Sequence, residues 1–323
     1  MKLIAPPEPA PAGQWSGSRH QQTPVGQCPA GPRENRLNLL AQYALTGVVT
    51  GCFLILATIG FSLTRQVEGF LNIAHAEMLG VSAFITWGLN AAAGWPFIPA
   101  AVVAIVATAF VGLFIGRVVY DPIRKLGPAV VLISSVGVAL VIAGIMHAII
   151  GTGIRTLDVP LATTYKFFGL RITNYQMIVV ALAALTGISL ALFLNRTKTG
   201  LAIRAMSTNP ELAASRGIDV RQTSRATWLL SSGLAGLAGV MLALIATLST
   251  DIAFHQILQI LAVAILAGLG SLYSVIAAGL IVGIAMDVSV FWIPAGYRPL
   301  IAFAVVIIAL LVRPEGLSMK RSS

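Results

Sequence analysis

Apolar residues in this chain come in long runs, separated by short polar stretches. Beyond Leu37 the runs fall at 38–63, 67–92, 97–117, 129–150, 174–194, 226–250, 256–270, 272–292 and 298–312. A helix rises about 1.5 Å per residue, so about 20 apolar residues cross the hydrocarbon layer of a bilayer. Most of the runs reach that length. The pattern predicts an all-α polytopic membrane protein of eight or nine transmembrane helices, occupying 37–317. The run 256–270 is short and ends in Gly268, Gly270 and Ser271, which predicts a short or broken helix there. Such backbone is tolerated where protein or a water-filled cavity surrounds it.

The ends of the chain read differently. Seven of the sixteen prolines lie within 1–36, with Gly, Gln and Ser among them. This stretch cannot bury enough apolar area to fold. It is expected to be a disordered polar tail, or a stretch translated from upstream of the true start. Residues 318–323 form a short tail on the cytoplasmic side.

Lys and Arg set the orientation. With loop 195–225 inside, the alternation of spans puts Arg65, loop 117–128 and the C-terminus inside as well. Thirteen bases then lie inside: Arg65, Arg117, Arg124, Lys125, Arg196, Lys198, Arg204, Arg216, Arg221, Arg225, Arg313, Lys320 and Arg321. Four lie outside: Arg155, Lys166, Arg171 and Arg298. That asymmetry is the positive-inside pattern. The same alternation puts Lys2, Arg19, Arg33 and Arg36 outside, against the rule.

Composition agrees with a lipid environment. Hydrophobic residues make up 57% of the 323 residues and charged residues 10%, against about 25% charged in a soluble domain. The net charge of +10 would suggest nucleic acid on a soluble domain. Here the bases sit between spans, so nucleic-acid binding is excluded. Histidines 20, 75, 147 and 255 are scattered singly, and Cys28 and Cys52 make no metal framework. No cofactor is expected.

The segment 67–92 is the least ordinary, because Asn72, His75 and Glu77 interrupt an apolar run. A charge at membrane depth costs at least about 2.5–3.5 kcal/mol and persists where it faces a cavity, a partner or the interface. On one helix Asn72 and His75 could share a stripe, at i and i+3, but Glu77 could not join them. Two readings stay open: a polar lining of a translocation path, and interhelical hydrogen bonding. Asp287 and His147, near segment ends, are expected to be solvated at the interface, and Asp251 and His255 to lie in a short outer loop. Gly233, Gly236 and Gly239, within SSGLAGLAG, are expected to let helices approach closely. Gly-interrupted regions near 60–80 and 266–283 hint at an internal repeat.

The loop 195–225 carries a second signal. Asn209-Pro210 starts a helix, Glu211 to Arg216 continue it, and Gly217 stops it. A short helix held between two spans suits docking to a soluble partner. A solvated loop whose bases fix orientation is the plainer reading.

Four stretches together carry a resemblance. They are GFLNIAHAEMLGVSAF (69–84), YDPIR (120–124) followed by PAVVLISSVGVAL, GLAIRAMSTNPELAASRGID (200–219), and AGLGSLYSVIAAGLIVGI with the ending VRPEGL (312–317). In this order they are similar to the permease subunits of ABC importers for branched-chain amino acids, closest to the H-type subunit of the Liv system. Ala76 stands where that family has glycine, Ile73 where it has phenylalanine, and Arg65, Gln66 and Glu68 are unusually polar.

The resemblance implies a coupling loop at 195–225, with Glu211, Ala213, Ala214 and Gly217 docking into ABC ATPase subunits. It also implies a second permease subunit, an extracytoplasmic substrate-binding protein and a place in the bacterial inner membrane. ATP hydrolysis would fall to the partner, so the chain is expected not to be an enzyme; it carries no G-x-x-x-x-G-K-[ST] loop. Related permeases also handle urea, amides and other small organic acids, so the solute stays open. The competing reading is a single-subunit, proton- or ion-coupled transporter using Glu77 and His75. An intramembrane enzyme would need a nucleophile–base pair or a metal set that the segment lacks.

Overall fold

The apolar runs do become helices. The computed structural model describes residues 33–167, 170–268 and 272–312. The stretch 1–32, Gly270, Ser271 and the ending from Arg313, with its bases and most of VRPEGL, lie outside the described residues. Helix α1 (Arg33–Glu68) begins within the expected tail. It is followed by α2 (His75–Trp87), α3 (Phe97–Ile115) and α4 (Pro128–Ile150). Wider π-type turns extend α2 over Gly88–Ala92 and α3 over Gly116–Tyr120. Next come a hairpin of β1 (Thr164–Phe167) and β2 (Leu170–Thr173), then α5 (Asn174–Arg196). The inner loop holds α6 (Lys198–Thr208) and α7 (Pro210–Ser215). The chain continues through α8 (Val220–Ile245), α9 (Ile252–Ala267), α10 (Leu272–Ser289) and α11 (Arg298–Val312).

Six helical stretches among the described residues are long and apolar enough to span a membrane, and Ile252–Ala267 and Tyr273–Ser289 are shorter apolar helices. The short helix expected near 256–270 is α9, which ends where Gly268 turns left-handed at φ +73°. A departure from the all-helical expectation is the antiparallel hairpin, which pairs Thr164 with Thr173 and Tyr165 with Ile172. Thr173 closes it and starts α5 with a reciprocal cap, its hydroxyl accepting from Gln176 N–H and the Gln176 amide oxygen accepting from Thr173 N–H.

Contacts at the two ends agree with the alternation read from the bases. Glu68, Arg124 and Ser224 meet at one end. At the other end Asn90 accepts from Asp158 N–H, Arg155 pairs with Leu248 through both backbone bonds, and Asp287 meets Arg298. By that alternation the first is the inner end.

The packing is made by small residues. Helices α1 and α10 cross with Gly47 and Gly51 against Gly279 and Gly283. A Cβ on Gly283 would lie 2.5 Å from Gly51 Cα, and one on Gly47 2.6 Å from Ile284 Cα. Close backbone approach of this kind is how helices associate in lipid, where no hydrophobic force drives them together. Helix α8 runs through the middle, packed against α1, α2 and α3. Gly236 faces Ile105 and Thr108 of α3, and Gly239 faces the Leu79 carbonyl of α2, so this part of the SSGLAGLAG stripe is packing, as expected. Gly233 has a looser neighbour, Ala109.

Candidate functional site

The three polar residues of segment 67–92 do not share one helix. Helix α1 ends at Glu68, Gly69 takes φ +79°, and α2 starts only at His75. Asn72 therefore lies in a bend, and the i, i+3 stripe with His75 does not form. The physical reason is the break at Gly69, which an apolar run does not reveal.

Each of the three goes to a different neighbour. Asn72 accepts from the Tyr120 hydroxyl at 3.2 Å, and the bend is tied further by Ile73 N–H donating to Ser135 Oγ at 3.1 Å. His75 is 1% exposed and its Nε2 contacts the Ala57 carbonyl oxygen of α1 at 3.0 Å, so that nitrogen carries the proton. It also meets Phe61 edge-on. Glu77 is 5% exposed and points elsewhere: its Oε2 has no hydrogen-bond partner, and it lies within electrostatic reach of His147 on α4 and Asp251 at the start of α9. One turn on, Gly80 faces Met146 and Ala253 on the same two helices. His147 Nε2 lies 3.4 Å from Asp251 Oδ1, while its Nδ1 meets the Ala143 carbonyl. A buried carboxyl oxygen without a partner is costly. Glu77 thus differs from Asn72 and His75, which hold the bend together. Helix α4, across from it, is anchored mainly to α2 and the end of α3 and exposes both flanks.

At the inner end the short helix forms as its sequence reads. Asn209 caps α7 by accepting from Leu212 N–H at 3.0 Å, Pro210 follows, and Gly217 takes φ +84°. Ile218 N–H returns to the Ala213 carbonyl at 3.1 Å, a Schellman-type stop. Asp219 then caps α8 through Arg221 and Gln222 N–H. So α7 and α8 join through an elbow with both ends capped. Ala213 is buried beneath α7, while Glu211, Leu212, Ala214 and Gly217 are exposed.

Sequence reasoning missed what the elbow is tied to. Glu68 Oε2 pairs with Arg124 Nη1 at 3.0 Å, and its Oε1 accepts from the Ser224 hydroxyl at 2.6 Å. The Glu68 side chain is 4% exposed. One carboxylate thereby joins the end of α1, the turn after α3 and the first turns of α8. Beside it Tyr120 stacks on Trp228 at 5.3 Å. The signal was present as a charge at the end of an apolar run and an arginine in YDPIR, but nothing in the sequence pairs the two.

Asp287 corrects another expectation. It is fully buried rather than solvated, accepting from Thr50 Oγ1 at 2.7 Å and pairing with Arg298 at 3.1 Å. The following span begins with the arginine that neutralises it.

A family model described as branched-chain amino acid transport system / permease component matches residues 43–311. The high-affinity branched-chain amino acid transport permease protein LivH of Escherichia coli K12 is 27% identical over 292 residues, covering 85% of this chain and 94% of that protein. BraD of Pseudomonas aeruginosa is 26% identical over 290 residues, with the same coverage. A probable LivH of Methanocaldococcus jannaschii is 26% identical over 291 residues, covering 84% and 90%. Among solved structures, PsaBC from Streptococcus pneumoniae in complex with Fab is similar at TM-score 0.48 and 13% identity, covering 88% of this chain and 95% of that one. The family match begins inside α1 and ends inside α11, and the chain belongs to the permease-component family of branched-chain amino acid transport systems.

Proposed function

We propose that this chain is one membrane subunit of an ATP-driven importer for branched-chain amino acids or related small polar solutes, seated in a bacterial inner membrane. The observation that carries the reading is the capped helix α7 at the basic end, in a chain whose relatives are branched-chain amino acid permeases. Glu211, Ala214 and Gly217 present its outer surface to ABC ATPase subunits, and Ala213 seats it on the fold. A second permease subunit completes the path, and an extracytoplasmic binding protein delivers the solute. Of the segment 67–92 trio, Glu77 lines the path, while Asn72 and His75 fix the bend beside it.

The test is purification from the native membrane in mild detergent, with mass spectrometry of what co-elutes. An ABC ATPase and a second permease in the eluate are the expected result. A chain that elutes alone from several detergents would overturn the reading.

The partnerless oxygen of Glu77 favours one other reading, proton-coupled transport by a single subunit. Glu77→Gln separates the two. Uptake that persists and stays dependent on ATP is expected here; uptake lost in Glu77→Gln that, in the wild type, follows the proton gradient and needs no ATPase would favour the proton carrier.

A further inference from the structure

A cavity of about 590 Å³ opens at the inner end, between α1, α5, α6 and the start of α10. Glu77, Glu68, Arg124 and Ser224 are not among its lining residues, and neither use above explains it. Its walls change character with depth. Ile59, Leu63 and Ala191 make the deeper part, and Gln66, Asn195 and Arg204 stand nearer the helix ends on the basic side. Among the described residues no carboxylate lines it. Arg204 donates to the Asn195 amide oxygen at 2.6 Å, a neutral partner that leaves its charge uncompensated, and among the described residues it has no ion pair. Ser62, on the wall, is 3% exposed and its hydroxyl has no hydrogen-bond partner.

A site whose described residues put a guanidinium without an ion pair at the rim, apolar walls below and no acid selects an anion joined to an apolar portion. Its volume suits a small molecule or a lipid headgroup with its first acyl carbons. Its depth decides between sources. Helix α6 lies across the inner end with Gly200, Ile203 and Met206 turned in, and Arg196 and Lys198 exposed beside it. The cytoplasmic leaflet carries the anionic lipids, and basic pockets between spanning helices on that side hold their headgroups.

We propose that this cavity holds the headgroup of an anionic phospholipid, with Arg204 on the phosphate and the acyl chains running down between α1 and α5. The lipid would bear on α6, and so on the loop that carries α7. The proposal requires only that the basic end faces the anionic leaflet, and is independent of the solute carried.

The test is native mass spectrometry of the intact complex, taken from nanodiscs of equal phosphatidylglycerol and phosphatidylethanolamine. The wild type should retain phosphatidylglycerol several-fold over phosphatidylethanolamine. Arg204→Gln should lose that preference and Arg204→Lys should keep most of it, with subunit composition and melting temperature unchanged in both. Equal retention of the two lipids by the wild type, or an undiminished preference in Arg204→Gln, would overturn the proposal. A third arm adds glycerol phosphate. If the soluble anion binds through Arg204 and no lipid is retained, the lipid assignment falls.

Discussion

Glu68 and Arg124 illustrate how single residues hold this fold. The carboxylate is nearly fully enclosed, whereas the guanidinium side chain is 37% exposed. Removing the arginine strands a buried charge, while neutralising the acid leaves a hydrogen-bonding amide beside a base that water can still reach. Stranding a buried charge costs about 3–5 kcal/mol, and the partial exposure of this pair reduces that to about 2 kcal/mol. Arg124→Ala should therefore destabilise the purified protein clearly more than Glu68→Gln does, as read from thermal unfolding in detergent. An equal effect of the two would mean that the ion pair contributes little. Such pairings were not legible in the sequence. The charge on Glu68 was visible, but its partner lies far along the chain, and only the fold selects Arg124 over the many other bases. The same holds for Asp287, whose carboxylate reads as interfacial until Thr50 and Arg298 are seen around it.

At the scale of elements the sequence was more generous. The positions of the helices follow from the apolar runs, and the short inner helix could be bounded to within one residue because Asn209, Pro210 and Gly217 each act through local geometry. The bend at 69–74 was not legible, since Phe70, Leu71 and Ile73 keep the run apolar while the backbone breaks at Gly69. The hairpin after α4 was hidden as well: its two strands are four residues each, too short for a pattern to declare itself. The elbow between α7 and α8 yields a prediction. Gly217 has open space around the position of a Cβ, so size alone does not clash, but its φ of +84° disfavours other residues. An αL position costs a non-glycine residue about 1–2 kcal/mol. Gly217→Trp should remain inserted and folded yet abolish transport, because the bulk stands on the surface offered to the ATPase. Wild-type uptake by that variant would remove the coupling role.

At the scale of the molecule, the ends of the helices sort the chain into two faces. One carries α6, α7 and the basic loop; the other carries the hairpin, the 151–163 strap and the Asp287–Arg298 pair. Leu212 is 56% exposed on the first and Leu161 94% exposed on the second. In a background lacking Cys28 and Cys52, Leu212→Cys should react with an impermeant thiol reagent only from the cytoplasmic side of the membrane, and Leu161→Cys only from outside. Labelling of both from one side would refute the orientation. This two-faced arrangement was legible from the distribution of Lys and Arg alone, since it depends on the sum of many charges rather than on any contact.

The glycine crossing of α1 with α10 has a consequence for how the protein is made. Helix α1 finds its closest partner, α10, only after the helices between them have been synthesised. Until then Gly47 and Gly51 present bare backbone to lipid, and Thr50 waits for a carboxylate that has not yet been translated. The nascent chain must therefore be held by the insertion machinery, or by its own middle helices, through most of translation. Truncations before α10 leave α1 without its mate, and such products should be degraded faster than the full chain in a pulse-chase experiment.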